Sequence, residues 1–84
     1  MFIIRITYDD YDLQSANYNA NVSTIDDVVS FALTKISRHL RRSDLYVSYL
    51  GYAVYAVVGK GKEVARFKVR DSNKKGVENA LHCG

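Results

Sequence analysis

One amphipathic stretch, residues 23–42, constrains this chain more than any other feature. Its sequence is STIDDVVSFALTKISRHLRR, and apolar side chains recur at the i, i+3, i+4 and i+7 spacing of one helix face: Ile25, Val28, Val29, Ala32, Leu33, Ile36 and Leu40. Ser23 or Thr24 can cap this helix. Asp26 or Asp27 then completes the spacing of a capping box. Because a helix with one apolar stripe needs a second element to cover it, the rest of the chain must supply that surface.

The covering surface is predicted to be an antiparallel sheet. Residues 2–8 and 16–22 alternate apolar and polar side chains, which indicates two strands joined by an acidic turn. After the helix, residues 52–58 and 63–70 are rich in β-branched and aromatic side chains and indicate two more strands. The glycines of residues 59–62 supply the positive φ angles of a hairpin turn between them.

The tyrosine-rich stretch before that turn is compatible with more than one element. Four tyrosines recur at every third position, which would also suit a helical stripe: Tyr46, Tyr49, Tyr52 and Tyr55. Aromatic and β-branched residues dominate the stretch, so we expect a strand. Gly51 predicts a bend or bulge that leaves the regular strand at 52–58.

Together these elements predict an α+β fold with two layers. We expect a four-stranded antiparallel sheet with one main helix packed on one face, in the order ββαββ(α). The last, short helix follows Asp71-Ser72-Asn73, where Val77, Ala80 and Leu81 share a face. With 84 residues, the chain is expected to form a single domain, 1–84.

Charge is unevenly distributed along the chain. Residues 1–34 contain one basic and five acidic residues, whereas residues 35–84 contain eleven basic and four acidic residues. This polarity favours a polyanionic partner at the basic end, and it also allows a homo-oligomer that joins acidic and basic halves. No apolar run reaches the roughly 20 residues that cross a bilayer. Arg5 interrupts the only apolar stretch that resembles a signal peptide. We therefore expect no membrane contact and a cytoplasmic protein.

The residue types used in catalysis are present without catalytic spacing. His39, His82 and Cys83 have no nucleophile or base at a suggestive separation. The loop 59–62, GKGK, lacks the spacing and the Ser/Thr of a phosphate loop and lies between strands. The sequence therefore favours a protein that is not an enzyme and has no cofactor.

A small metal-dependent nuclease is the one catalytic alternative. Asp9, Asp10 and Asp12 could supply oxygen ligands to a hard cation. No second acidic cluster follows to complete a two-metal site. We therefore favour the simpler interpretation that these residues form an acidic turn exposed to solvent, and we expect no metal.

The positive signal is a basic flank of the predicted helix. Phe31, Lys35, Arg38 and Arg42 project within about 60° of one another, beside the apolar stripe; we call these four residues the helix flank. Arg41 adds a further cation. Because cations bind phosphates and an exposed ring can stack on a base, this pattern is typical of single-stranded nucleic-acid sites.

A second basic array follows the last predicted strand. Arg66, Lys68 and Arg70 alternate with apolar residues and face away from the core, as does Val64, and Lys60 and Lys62 lie in the turn before them. The same outer face is expected to hold Ile3, Arg5, Thr7 and the asparagines of residues 16–22. The two arrays are predicted on different layers. Each also has a structural explanation, since C-terminal cations complement a helix dipole and lysines protect sheet edges.

The chain as a whole resembles the small early proteins of tailed bacteriophages. The resemblance lies in MFIIRITYDD, the single helix STIDDVVSFALTKISRHLRR, the Tyr- and Asn-rich strands and the final HCG. These phage proteins include ones that neutralise host toxin–antitoxin RNases or CRISPR nucleases. The resemblance therefore implies an anti-defence protein of the host cytoplasm that binds without catalysis. It carries over no functional residue.

These observations predict a small basic binding protein, plausible as an inhibitor of a host defence nuclease or toxin. Its partner is expected to be RNA or an RNA-containing complex. The residues expected to make this contact are Phe31, Lys35, Arg38, Arg41, Arg42, Lys60, Lys62, Arg66, Lys68 and Arg70. The alternative is a protein–protein interaction without RNA, in which a sheet edge and the tyrosines dock on the partner.

Overall fold

A computed structural model of the chain describes residues 1–10 and 12–71. Its elements in chain order are β1 (Phe2–Tyr8), β2 (Ala16–Ala20), α1 (Ile25–Leu40), β3 (Leu45–Gly51), β4 (Val54–Gly59) and β5 (Lys62–Asp71). The strands form one antiparallel sheet in the order β2-β1-β5-β4-β3. Within the described ranges, no helix combines the length and apolar character needed to cross a membrane.

The predicted α+β class, with one main helix and an antiparallel sheet, is confirmed, but the predicted number of four strands is wrong. The sheet has five strands, because Leu45–Gly51 is a strand of its own that pairs with the next one, Val54–Gly59. The sequence predicts only one regular strand in this stretch, at 52–58. The short helix predicted after Asp71 lies outside the described residues.

The helix begins at its predicted N-cap, but its last residue is Leu40, before the predicted end at Arg42. The side-chain oxygen of Thr24 accepts a hydrogen bond from the backbone N–H of Asp27 at 3.2 Å, which satisfies one of the free donors of the first turn. At the other end, Arg41 adopts the left-handed conformation, with φ 55°, and its N–H bonds to the carbonyl of Arg38. The helix therefore occupies residues 25–40 of the amphipathic stretch 23–42.

The core lies between α1 and the two central strands. In the pairing of β1 with β5, Ile4 lies opposite Val69 and Ile6 lies opposite Phe67. These side chains are buried together with three residues of one helix face, Val28, Ala32 and Ile36. Residues that lie opposite each other on paired strands share a face of the sheet. The alternation in β1 and β5 therefore directs Ile4, Ile6, Phe67 and Val69 toward the helix.

Val64 departs from that alternation. The sequence predicts that it faces outward with Arg66, but it is half-buried and packs against the core. The pairing of β4 with β5 shifts register between Val57 and Val58, so that Val57 pairs with Ala65 and Val58 with Glu63. Val64 is the extra residue of this β-bulge, which explains why a simple period of two fails there.

A row of three aromatic rings in contact extends the core toward β3. The Tyr55 ring lies 5.0 Å from that of Phe67, and Tyr49 lies 4.9 Å from Tyr55. Burial raises the pKa of the Tyr55 hydroxyl, and the nearby Tyr49 and Asp26 add to the effect. The outermost ring, Tyr49, is largely exposed, so this part of the sheet extends beyond the cover of the helix.

The turn between β3 and β4 is built from residues that rarely form such turns. Tyr52 and Ala53 have φ angles of 54° and 62°, the positive pair that a type I′ hairpin turn requires and that Asn-Gly normally supplies. The equivalent turn between β4 and β5 uses Lys60 and Gly61, with φ 53° and 74°. Left-handed backbone at a non-glycine residue costs about 1 kcal/mol or more, and the Tyr52 side chain at the tip is 96% exposed.

Replacing this turn by Asn-Gly should therefore stabilise the fold. We expect the double variant Tyr52→Asn/Ala53→Gly to raise the free energy of unfolding by about 1 kcal/mol, because the strained φ angles are then adopted by residues that tolerate them. Urea denaturation at low protein concentration measures the change. Tyr46→Asn, on extended backbone of the same hairpin, is the control and should lower stability, since asparagine is a poor strand former. Equal losses in both variants would contradict the assignment of strain to the turn.

Candidate nucleic-acid interface

The sheet face opposite α1, which we call the open face, carries four cations on its two central strands. The alternation that points Ile4 and Ile6 at the helix points Arg5 the other way. On β5, the same rule places Arg66, Lys68 and Arg70 on the open face. All four side chains are exposed. We call Arg5, Arg66, Lys68 and Arg70 the open-face array.

The register of β1 with β5 brings these cations close together. Arg5 lies directly opposite Lys68, and Thr7 and Ile3 lie opposite Arg66 and Arg70. Directly paired residues have Cβ atoms about 5 Å apart, and like charges in such positions destabilise a sheet. Within the described part of the chain, Arg5, Lys68 and Arg70 have no carboxylate in an ion pair.

Arg66 is the one member of the open-face array with an acidic partner. Its Nε donates to Oε2 of Glu63 at 2.8 Å, and this hydrogen bond raises the pKa of the guanidinium. More than half of the Arg66 side chain is still exposed. An exposed pair of this kind contributes little to stability, so Arg66 remains available to a second anion.

The spacing of the open-face array suits an extended polyanion. Along β5, alternate residues are about 7 Å apart, so the three cations form a straight row. This separation is comparable with that of successive phosphates in an extended strand. Asn17 lies opposite Arg5, and Asn19 lies opposite Ile3; their exposed amides add hydrogen-bond donors and acceptors beside the row.

An apolar strip borders the open-face array on its other side. Val54 of β4, which is half-buried, lies opposite Lys68, and Ala56, which is buried, lies opposite Arg66. Beyond them, Tyr46 of β3 pairs with Val58 and is more than half exposed. Tyr46 is two strands from β5, a distance of about 10 Å. The open face therefore combines a row of cations with an aliphatic strip and one accessible aromatic ring.

The helix flank does not have the exposed ring that the sequence predicted. Phe31 is half-buried and packs edge-on against Tyr18 of β2, with ring centroids 6.1 Å apart. The Lys35 ammonium lies 5.3 Å from the centre of the Phe31 ring and 5.4 Å from that of Tyr18, a cation–π arrangement. Phe31 thus has a packing role that the sequence did not indicate, and its half-buried ring lines a cleft of about 400 Å³ together with Lys35 and Arg38.

The other predicted cations are dispersed. Arg38 and Arg41 are exposed at the end of α1. The Nε of Arg42 donates to Asp44 Oδ1 at 2.9 Å, and this hydrogen bond lowers the pKa of the Asp44 carboxyl. Lys60 and Lys62 lie at the β4–β5 turn, where Lys62 and Arg42 border a cleft of about 410 Å³ that also contains acidic side chains. This end of the molecule has mixed charge.

The structure places the two predicted basic arrays on opposite sides of the sheet. The helix flank belongs to the layer that covers the core, whereas Arg66, Lys68 and Arg70 belong to the open face. The site prediction omitted Arg5, Asn17 and Asn19, although the alternation in residues 2–8 and 16–22 was sufficient to place them on that face. What the sequence could not supply was the register that sets Arg5 against Lys68.

The acidic turn has the structure of a hydrogen-bonded loop. The backbone N–H of Asp12 bonds to Asp10 Oδ1 at 2.9 Å, a local arrangement typical of aspartate in turns. Within residues 1–10 and 12–71, no three His, Cys, Asp or Glu side chains are grouped closely enough to hold a metal ion. Asp9 and Asp10 instead border the cleft near Arg42 and Lys62.

Removing a cation from the open-face array should stabilise the fold. We expect Lys68→Gln to raise the free energy of unfolding by about 0.5 kcal/mol at low salt, because it relieves the repulsion from Arg5 across the strand pair, and the gain should shrink as salt is added. Urea denaturation at two ionic strengths tests this. Lys62→Gln is the control and should give no gain, since Lys62 lies near Asp9, Asp10 and Glu63. A salt-independent loss of stability in Lys68→Gln would contradict the repulsion.

Known proteins provide no template for this arrangement. No family model, curated protein or solved structure matches the chain. A fold by itself does not imply a function, so the chemistry of the open face has to indicate what it binds. The open face is a cationic surface bordered by amides and apolar side chains.

Proposed function

We propose that the protein binds single-stranded RNA on its open face without catalysing a reaction. The observation that supports this proposal is the open-face array, in which Arg5 and Lys68 lie opposite each other without an acidic partner among the described residues. A fold tolerates such repulsion at a cost, and an anion that binds between the two cations removes it. Of the residues that the sequence predicts to contact RNA, Arg66, Lys68 and Arg70 are retained, and Arg5 is added.

The open face favours an extended nucleic acid over a compact anion. The cations continue for three alternate positions along β5, so several phosphates could be contacted in succession. The half-buried Val54 and the exposed ring of Tyr46 lie alongside, where bases of a single strand would lie flat or stack. A double helix presents no unstacked base to such a strip, which is why single-stranded RNA is the better match.

The resemblance to small phage proteins supports a biological setting for this binding. In that setting the target is an RNA on which a host defence nuclease or toxin acts, or a complex that contains it. A non-catalytic protein that covers the phosphates of an RNA would withhold that substrate from an RNase. Inhibition by occupancy needs no active site on this chain.

Binding to a labelled, mixed-sequence single-stranded RNA tests the proposal by fluorescence anisotropy. We expect affinity to fall steeply between about 50 and 200 mM salt, with a slope of log K against log salt near −3, because each phosphate contact in a single strand contributes about −0.7. The double variant Arg5→Gln/Lys68→Gln should weaken binding and reduce the slope by about 1.4. Absence of binding at low salt would contradict the proposal.

The matched control removes the same charge from the helix layer. Arg38 and Arg41 are exposed on the other side of the sheet, so Arg38→Gln/Arg41→Gln should bind RNA with nearly the affinity and slope of the wild type. If this variant loses binding and the open-face variant does not, the RNA site is on the helix and the open-face proposal is wrong. If both lose binding equally, only net charge matters.

A protein partner without RNA is the second candidate, supported by the exposed tyrosines of β3 and its turn. Tyr46, Tyr49 and Tyr52 are all more than half exposed, and exposed tyrosine is typical of binding hot spots. In this case, capture of a partner from host lysate should survive RNase treatment and should be reduced by Tyr52→Ser. Arg38→Gln serves as the control. Capture that disappears with RNase would instead support the RNA-binding proposal.

A further inference from the structure

The edge strand β3 lacks the features that normally prevent edge strands from pairing. It is the last strand of the sheet, so one side of its backbone has no neighbour in the described part of the chain. Natural edges are usually short or carry charged residues or proline. β3 has seven residues, and the whole hairpin of residues 45–59 contains no charged residue and no proline.

The exposed apolar surface of the molecule is concentrated at this edge. Six large apolar side chains are exposed among the described residues, and four of them lie in β3 and its turn: Tyr46, Tyr49, Leu50 and Tyr52. The opposite edge, β2, is different, because it has five residues and its outward side chains are Asn17 and Asn19. Asparagine favours water over strand pairing. The two edges are therefore not equivalent.

We propose that β3 pairs antiparallel with β3 of a second copy of this chain, about a two-fold axis at Ser48. In this register Tyr46 lies opposite Leu50 of the second copy, Val47 lies opposite Tyr49, and the two Ser48 residues lie opposite each other. Tyr46, Tyr49 and Leu50 thus each meet an apolar partner, and every contact away from the axis occurs twice. The register irregularity of β3 lies between Tyr49 and Gly51, at one end of the pairing.

The surface available is near that of a specific interface. Tyr46, Tyr49, Leu50 and Tyr52 are 56%, 61%, 47% and 96% exposed. With about 200 Å² for a whole tyrosine and somewhat less for leucine, the three side chains of the paired segment, Tyr46, Tyr49 and Leu50, expose roughly 300 Å² per subunit, and Tyr52 at the turn exposes about 190 Å² beside them. The strand backbone adds to this area, and the smallest specific interfaces bury about 600 Å² per partner. A weak, concentration-dependent dimer is the expected result.

Charge also favours a second copy as the occupant. The paired strands carry no charge, so the edge has no preference for a charged partner. The basic strands of the two subunits would be five strand spacings apart, about 24 Å, which is well beyond the Debye length of about 8 Å at physiological salt. Repulsion between the two basic faces is therefore screened, although each subunit has a net charge of +3.

A two-fold axis perpendicular to the sheet keeps both open faces on the same side. The dimer would form one continuous sheet of ten strands with two open-face arrays. A polyanion long enough to reach both arrays would gain avidity without any new contact. Dimer formation itself requires no polyanion.

Sedimentation velocity of the full chain without nucleic acid tests the pairing, at concentrations up to about 0.5 mM, which would populate even a weak dimer. We expect a dimer as the largest species. Ser48→Lys and Ser48→Glu should each weaken self-association at least about tenfold, since like charges then lie directly opposite each other across the axis. An equimolar mixture of the two variants should restore a dimer. Ser30→Lys, on the exposed side of α1, is the control and should associate like the wild type.

Hydrogen exchange provides a second measurement that does not depend on the variants. Amide protection in residues 45–51 of the wild type should rise with protein concentration. A wild type that stays monomeric throughout the range would overturn the proposal, as would growth beyond a dimer, which would indicate head-to-tail pairing of β3 with β2. The amides of β3 that bond to β4 are protected in the monomer as well, so the informative amides are those that point away from β4. Protection of these amides that is the same at every concentration would also overturn the proposal.

Discussion

The pairing of β1 with β5 determines both faces of the sheet. It joins the N-terminal hairpin to the three-stranded meander that follows the helix, and it places Ile4 and Ile6 against Val69 and Phe67 under α1. Because side chains alternate, the same register forces Arg5 against Lys68 on the other face. A slip of one residue would exchange the core for the cations. The burial of a few apolar side chains therefore holds the repelling cations in place.

The dimensions of the single helix explain why the rest of the structure takes its form. A helix of 16 residues is about 24 Å long and about 10 Å wide, whereas five strands span about 19 Å across their axes. The helix covers the centre, and aromatic rings extend the cover at both sides. Phe31 packs on Tyr18 toward β2, and Tyr55 and Tyr49 continue from Phe67 toward β3. Phe31 is thus part of this cover, and its packing could not be expected from α1 alone because it depends on a residue of another element.

Features that depend on local pattern were predictable from the sequence, and features that depend on distant contacts were not. The bounds of β1 follow from alternation and the N-cap of α1 follows from Thr24, each within one segment. The β3–β4 turn was missed because Tyr52-Ala53 contains no turn residue, so Gly51 was assigned a bend inside a strand. The bulge at Val64 arises from a register shift between two strands. The alternation within β5 was sufficient to predict that Arg66, Lys68 and Arg70 lie on the open face. That Arg5 lies opposite Lys68 could not be predicted, because it depends on the pairing of two strands far apart in sequence.

This sheet has two features that lower its stability. Like charges face each other on the open face, and the longer edge strand has neither charge nor proline to protect it. Natural proteins tend to break such rules where function requires it. The two features also differ in kind, since an anion relieves the first and a strand relieves the second. A partner that supplied only one of these would leave the other uncompensated. The two proposed occupants, a polyanion on the open face and a second strand at the edge, therefore do not compete for the same part of the sheet.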